Sequence, residues 1–154
     1  MLLNKNIVKK MTSTVGIKRQ SSVVPELIDK IAREYLILLL QRLLIIIQFA
    51  TRKTITITDL HFLPKICSDY SKFVFPLDVK NFNNFTLKKP FKKFVKRNLP
   101  DDIRLEVDSV PILQTICERY ILLILESASV FLGDRETLDT KHIKNALKIL
   151  AKKQ

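Results

Sequence analysis

The sequence predicts an all-α protein made of two copies of one three-helix unit, and three observations carry that prediction. Two long apolar stretches, VVPELIDKIAREYLILLLQRLLIIIQFA at 23–50 and SVPILQTICERYILLILESASVFL at 109–132, each read as one helix with a proline in its first turn. Each is preceded by a short helical stretch and followed by an Arg-bearing loop and another short helix. Glycine occurs only 2 times in 154 residues, which argues against hairpins and Gly-rich phosphate loops. From Leu36 to Ile47 the apolar residues wrap every face, broken only by Gln41 and Arg42. A helix apolar all round must be buried all round. At roughly 40 Å, the first long helix is too long for short loops to cover, so the second has to cross it.

In chain order, Asn4 is expected to cap a short helix running to about Ser13, and Gly16 allows the bend that follows. Ser21 or Ser22 is expected to cap the first long helix, with Glu26 near its positive end. Thr51–Ile57 alternates polar and apolar residues and reads as extended, pairing with another such segment. Thr58 or Asp59 caps the next short helix, which ends near Pro64 or Ile66. Residues 68–89 are rich in Phe and Asn without helical period, and read as a linker that packs a few aromatics on the surface. This divides the chain at 1–67, 68–89 and 90–154. Pro90 opens the second half, Asp108 or Ser109 caps its long helix, Gly133 ends that helix, and Thr140 caps the last one.

The charge is lopsided. The net charge is +12, and residues 1–67 carry 11 basic and 4 acidic groups against 12 and 9 in 90–154. Such a balance favours a polyanionic partner, nucleic acid before an anionic membrane surface. The apolar run Tyr35–Ala50 holds Gln41, Arg42 and Gln48 and is shorter than the ~20 residues a bilayer needs. The first ten residues do not have the form of a signal peptide. Cys67 and Cys117 have no metal-ligand spacing and read as buried free thiols of a reducing compartment. His61 and His142, each alone on a short helix, read as packed or surface residues. Glu34, Glu118 and Glu126 are expected to pair with Arg33, Arg42 or Arg119, and no nucleophile–base pair or paired carboxylates suggest catalysis or a cofactor.

Residues 4–66 resemble the core of the eukaryotic histone H-four, most densely at Val15-Gly16-Ile17-Lys18-Arg19 and Ala50-Thr51-Arg52-Lys53-Thr54-Ile55-Thr56, with Asp59 following. Residues 88–150 resemble the core of histone H-three: Lys89-Pro90-Phe91-Lys92-Lys93-Phe94-Val95-Lys96, then Ile103-Arg104, Leu113-Gln114, Cys117-Glu118, Tyr120 and Glu126. An H-four-like half fused ahead of an H-three-like half is similar to the histone doublets of large DNA viruses. The resemblance implies two histone folds in an intramolecular handshake, with the first loop of each half beside the second loop of the other. It implies contacts to double-stranded DNA from Lys9, Lys10, Lys18, Arg19, Arg52, Lys53, Thr54, Lys93, Lys96, Arg104, Arg135 and Thr137, in three basic clusters on one edge. Arg19 and Arg104 are then the candidates for insertion into the minor groove. It further implies a nucleosome-like particle formed with H-two-A/H-two-B-like histones or another copy, located in a virion, viral factory or host nucleus.

The second long helix stops about two residues short of the family's before Arg135, which turns its end by about half a turn. His142 stands where the family has an acidic residue. Leu132 and His142 are expected at the interface between copies, and the isolated chain is expected to be a monomer that pairs weakly. The rival expectation is a histone-fold module of a transcription-factor or kinetochore type that binds proteins and uses DNA little.

Overall fold

The computed structural model describes residues 1–66, 84–133 and 136–152. Cys67, Arg135 and residues 68–83 of the expected linker lie outside the described residues. Among the described residues six helices follow in order: α1 (Lys5–Thr14), α2 (Val24–Phe49), α3 (Ile57–Ile66), α4 (Lys88–Arg97), α5 (Ser109–Ser129) and α6 (Thr140–Lys152). Two short strands, β1 (Thr54–Ile55) and β2 (Arg104–Leu105), pair in parallel. The short–long–short helix order occurs twice.

The helices begin and end for local reasons. Asn4 caps α1 by accepting the Ile7 N–H at 2.9 Å, a bond worth about 1 kcal/mol. Past its end, Gly16 sits at φ 84, the Ile17 N–H bonds Thr12 O and the Gly16 N–H bonds Ser13 O, a Schellman ending. α2 ends the same way: the Arg52 N–H bonds Ile47 O and the Thr51 N–H bonds Gln48 O. Here, however, the left-handed position is held by Thr51 at φ 54. The expected extension over Thr51–Ile57 therefore shrinks to Thr54–Ile55, because its first residues complete the end of α2.

Several expected caps move. Val23 precedes α2 with no side-chain cap, so neither Ser21 nor Ser22 plays that part. Thr56 takes the place expected of Thr58 or Asp59, and Asp59, three residues on, reaches back to the Thr56 N–H at 2.8 Å. Asp139, not Thr140, starts α6, accepting the Thr140 N–H at 2.7 Å. Asp108 stands at the start of α5 without a side-chain bond. α4 opens at Lys88, two residues before Pro90, and α5 stops at Ser129, well before Gly133.

α2 and α5 cross at the centre of the molecule. The Tyr35 and Tyr120 rings stack there with centroids 3.9 Å apart and planes 11° from parallel. Cys117 faces Ala32 O at 3.8 Å, and burial, with Glu118 nearby, pushes its thiol pKa up. Leu36, Leu39, Leu40 and Leu43 of α2 and Leu113, Ile121 and Leu125 of α5 belong to one buried cluster drawn from both halves. Each half thus covers much of the other's long helix, but not all round as expected: Leu38, Ile45 and Phe49 of α2 stay exposed.

The chain ahead of the first short helix of each half is tied down by a carboxylate on the neighbouring long helix. In the first half the Leu2 and Leu3 N–H groups both donate to Asp29 Oδ1 at 2.8 Å, while Arg33 Nε donates to Asp29 Oδ2 at 2.9 Å. In the second, the Phe85 and Thr86 N–H groups donate to the two oxygens of Glu118 at 2.8 and 2.9 Å, and Gln114 Nε2 donates to Thr86 Oγ1 at 2.8 Å. Burial raises the pKa of Glu118, and the bonds from Thr86 and Phe85 offset part of that. The sequence-based pairing of acids with arginines is thus corrected: Arg33 takes Asp29 rather than Glu34, and Glu118 holds backbone.

Candidate nucleic-acid interface

Backbone pairing brings the loops of the two halves together at both ends of the long-helix pair. At one end Gln20 bridges Leu138 in parallel: the Leu138 N–H donates to Arg19 O at 2.9 Å and the Ser21 N–H donates to Leu138 O at 2.8 Å. This seats Lys18 and Arg19, both exposed, beside the loop that carries the exposed Thr137. Arg135, expected in this cluster, lies outside the described residues. At the other end the Arg104 N–H donates to Lys53 O at 2.8 Å and the Glu106 N–H to Ile55 O at 2.9 Å, with Thr54 opposite Arg104. Arg52, Lys53, Thr54 and Arg104 are therefore neighbours, and all are exposed.

Their side chains are not equally available. Arg52 Nη1 and Nη2 both donate to Asp59, and Nη1 also lies 3.4 Å from Thr54 O. Burial alone would raise the Asp59 pKa, but the Arg52 and Thr56 bonds outweigh it and hold the carboxyl below its ordinary range. The Asp59 bond in turn raises Arg52. Arg52 thus ties the loop to α3, although its side chain stays 42% exposed. Lys53 lies 3.6 Å from Asp102 in an exposed pair, which weakens its pull on an anion without removing it. Arg104, Lys18 and Arg19 enter no ion pair among the described residues.

The expected middle cluster divides. Lys9 and Lys10 lie on the exposed face of α1, beside Ser13, Thr14 and Phe85. Lys96 shares a groove with Arg104 and so belongs to that end. Lys93 is exposed on α4.

His142 is only 4% exposed. Its Nδ1 accepts the Asp139 N–H at 3.0 Å and its Nε2 lies 3.4 Å from Glu136. Expected between copies, the ring is spent inside its own chain, on the start of α6. Leu132 is half-buried, next to the exposed Val130 and Phe131. The exposed lysines and arginines of the loops were legible in the sequence, whereas Asp29, Asp59, Gln114 and Glu118, which hold the surrounding backbone, were not legible in that role. The spacing Thr56–Asp59 was the one local signal, since Thr followed three residues later by an acid fits a reciprocal cap.

Among the described residues no group of three or more His, Cys, Asp or Glu side chains is placed to hold a metal ion, and no helix is long and apolar enough to cross a membrane. No protein-family model matches the sequence, and no curated protein matches it. The crystal structure of the histone from Methanopyrus kandleri is similar in fold, with a TM-score of 0.67 over 94% of this chain and 92% of that chain at 15% sequence identity. That match spans both halves, and together with the paired loops it establishes the architecture: two histone folds in one chain, joined in an intramolecular handshake.

Proposed function

We propose that the protein binds double-stranded DNA without reading sequence and compacts it, as a non-catalytic histone doublet. The observation that carries this reading is the pairing of loops across the halves, which puts Lys18 and Arg19 at one end and Lys53, Thr54 and Arg104 at the other. Lys9, Lys10, Lys93 and Lys96 add exposed cations on α1 and α4. Phosphates favour such separated cations, because each contact releases condensed counterions. Arg19 and Arg104 are the residues to enter the minor groove, Thr54 and Thr137 sit beside them, and Arg135 would join the first end. Arg52 serves mainly as scaffold. Copies, or H-two-A/H-two-B-like partners, would meet at exposed apolar residues such as Val130 and Phe131 near Leu132. The fusion order resembles viral doublets, and a virion, viral factory or host nucleus is the matching location.

The test is nuclease protection of DNA by the pure protein, with and without H-two-A/H-two-B-like partners. Protected fragments of defined length that do not depend on sequence are expected. Strong preference for one short sequence at physiological salt would exclude packaging. A second reading, a protein-interaction module, draws on the exposed Leu38, Ile45, Phe49 and Phe62 of α2 and α3. It predicts tight partner binding with DNA affinity too weak to protect.

A further inference from the structure

One surface of the second half combines an apolar floor with an unpaired cationic rim. A half-open groove of about 480 Å³ runs between the end of α4, the loop that leads to β2 and the start of α5. Val95, Leu99 and Val110 line it as buried core residues, and Val107, also lining it, is 62% exposed. Lys92 and Lys96, one turn apart on α4, and Arg104 on β2 bring three cations to the same lining, against the single carboxylate of Asp101 among the described residues. None of the three cations is in an ion pair among the described residues.

The backbone adds a third feature. The N–H groups of Arg104 and Glu106 face β1, where they bond Lys53 O and Ile55 O. Successive residues of a strand alternate sides, so Leu105, which lines the groove, turns its own N–H and C=O away from β1. Among the described residues no backbone hydrogen bond fills this edge of β2.

A phosphate chain would satisfy the cations and leave Val107 and the floor in water. A purely apolar segment would bury the floor and desolvate three cations without partners. An extended peptide that carries carboxylates around one or two large apolar side chains satisfies the cations, the floor and the strand edge together. The geometry points to this groove as the docking site for an acidic, apolar-bearing extended segment of a partner protein, laid along β2 at Leu105. One consequence rests on the DNA-binding reading above: Lys96 and Arg104 are both assigned there to DNA. The segment and DNA therefore exclude each other at this end, while Lys18 and Arg19 stay open at the other. A partner of this kind would release one end of the protein from DNA at a time.

The experiment is a fluorescence-anisotropy titration of the full chain with a labelled peptide Glu-Glu-Leu-Glu-Leu-Glu-Glu, and with the same peptide carrying Ser for both Leu. The leucine peptide is expected to bind about tenfold tighter, the effect of burying roughly one large apolar side chain. Val107→Ser is expected to weaken the leucine peptide several-fold while the melting curve and affinity for a DNA duplex stay as they were. Lys92→Gln should weaken both peptides. Equal binding of the two peptides would overturn the proposal, since charge alone would then explain the contact. So would a Val107→Ser protein that binds the leucine peptide unchanged. Adding duplex DNA is expected to displace the leucine peptide; simultaneous binding of both would place the peptide away from Arg104 and also overturn it. If no DNA binds at all, the DNA reading fails by itself, and the two peptides and the Val107→Ser protein still decide the groove.

Discussion

At one end of the molecule Leu138 exchanges backbone bonds with Arg19 and Ser21; at the other Arg104 and Glu106 bond Lys53 and Ile55. The backbone device is the same, parallel pairing of one half's first loop with the other half's second. The charges around it differ. Lys18 and Arg19 have no acid within pairing distance among the described residues, whereas Arg52 is held by Asp59 and Lys53 lies beside Asp102. Asp101, Glu106 and Asp108 also sit in the second half's first loop or just after it. The fold thus supplies two equivalent platforms, and the sequence loads them unequally. Shape follows from backbone pairing and apolar burial, while the strength of an anion site follows from which cations are left without an acid.

The largest effect that would break this comparison is removal of one half. Neither 1–67 nor 88–154 can cover its own long helix, so each expressed alone is expected to be largely unfolded by circular dichroism and to regain helix on mixing. A cooperatively melting monomer of either piece would mean that the platforms are independent.

Next in size is the tie at the second platform. Asp59→Asn is expected to cost about 1–3 kcal/mol at pH 7, because it weakens the Arg52 and Thr56 bonds together. The Asp59 pKa is lowered on folding, so its contribution is present above the unfolded carboxylate value and fades as pH falls through the folded one. The stability gap should therefore narrow below about pH 4. Glu118 runs the other way, since burial raises it. As pH rises from about 4, Glu118→Gln should gain on the parent protein. Urea unfolding across pH reads both, and parallel pH curves for the two variants would contradict the opposite environments assigned to them.

The charge difference itself is read from the salt dependence of DNA binding. Replacing Lys18 and Arg19 together by Ala should lower the log–log slope by about 1.8, at about 0.9 per phosphate contact. Lys53→Ala should lower it by less than one contact, and Asp102→Asn should tighten binding. Equal slopes for changes at the two ends would show that the nearby acids do not matter.

The smallest effect concerns the two helix endings. Gly16 and Thr51 both hold left-handed backbone, but only one is glycine. Thr51→Gly is expected to stabilise by about 1 kcal/mol and Gly16→Ala to destabilise by about as much, since an L side chain is strained there. No atom beyond its chain neighbours lies within 4 Å of a Cβ built at Gly16, so the second change isolates backbone strain. Thermal melts compare the pair directly.

Most of the architecture was legible in the sequence for one reason: the long helices at 23–50 and 109–132 carry more apolar surface than short loops can bury, and crossing each other buries most of it, although Leu38, Ile45 and Phe49 stay exposed. Asn4, Gly16 and the prolines in the first turns marked boundaries because their effects are local, set by one side chain acting on the next few peptide groups. The cationic loops were equally plain, since a charge needs no partner to be recognised. What the tertiary structure alone decided is which polar groups meet. Glu118 was expected to meet an arginine, yet like Asp29 it holds two consecutive backbone N–H groups ahead of the first short helix of its half. His142 looked available to a partner copy and is buried against its own loop. Arg52 looked like a phosphate ligand and is bound to Asp59. A buried polar group takes whichever donor the packing brings within about 3 Å, and that choice depends on three-dimensional neighbours that no spacing along the chain encodes.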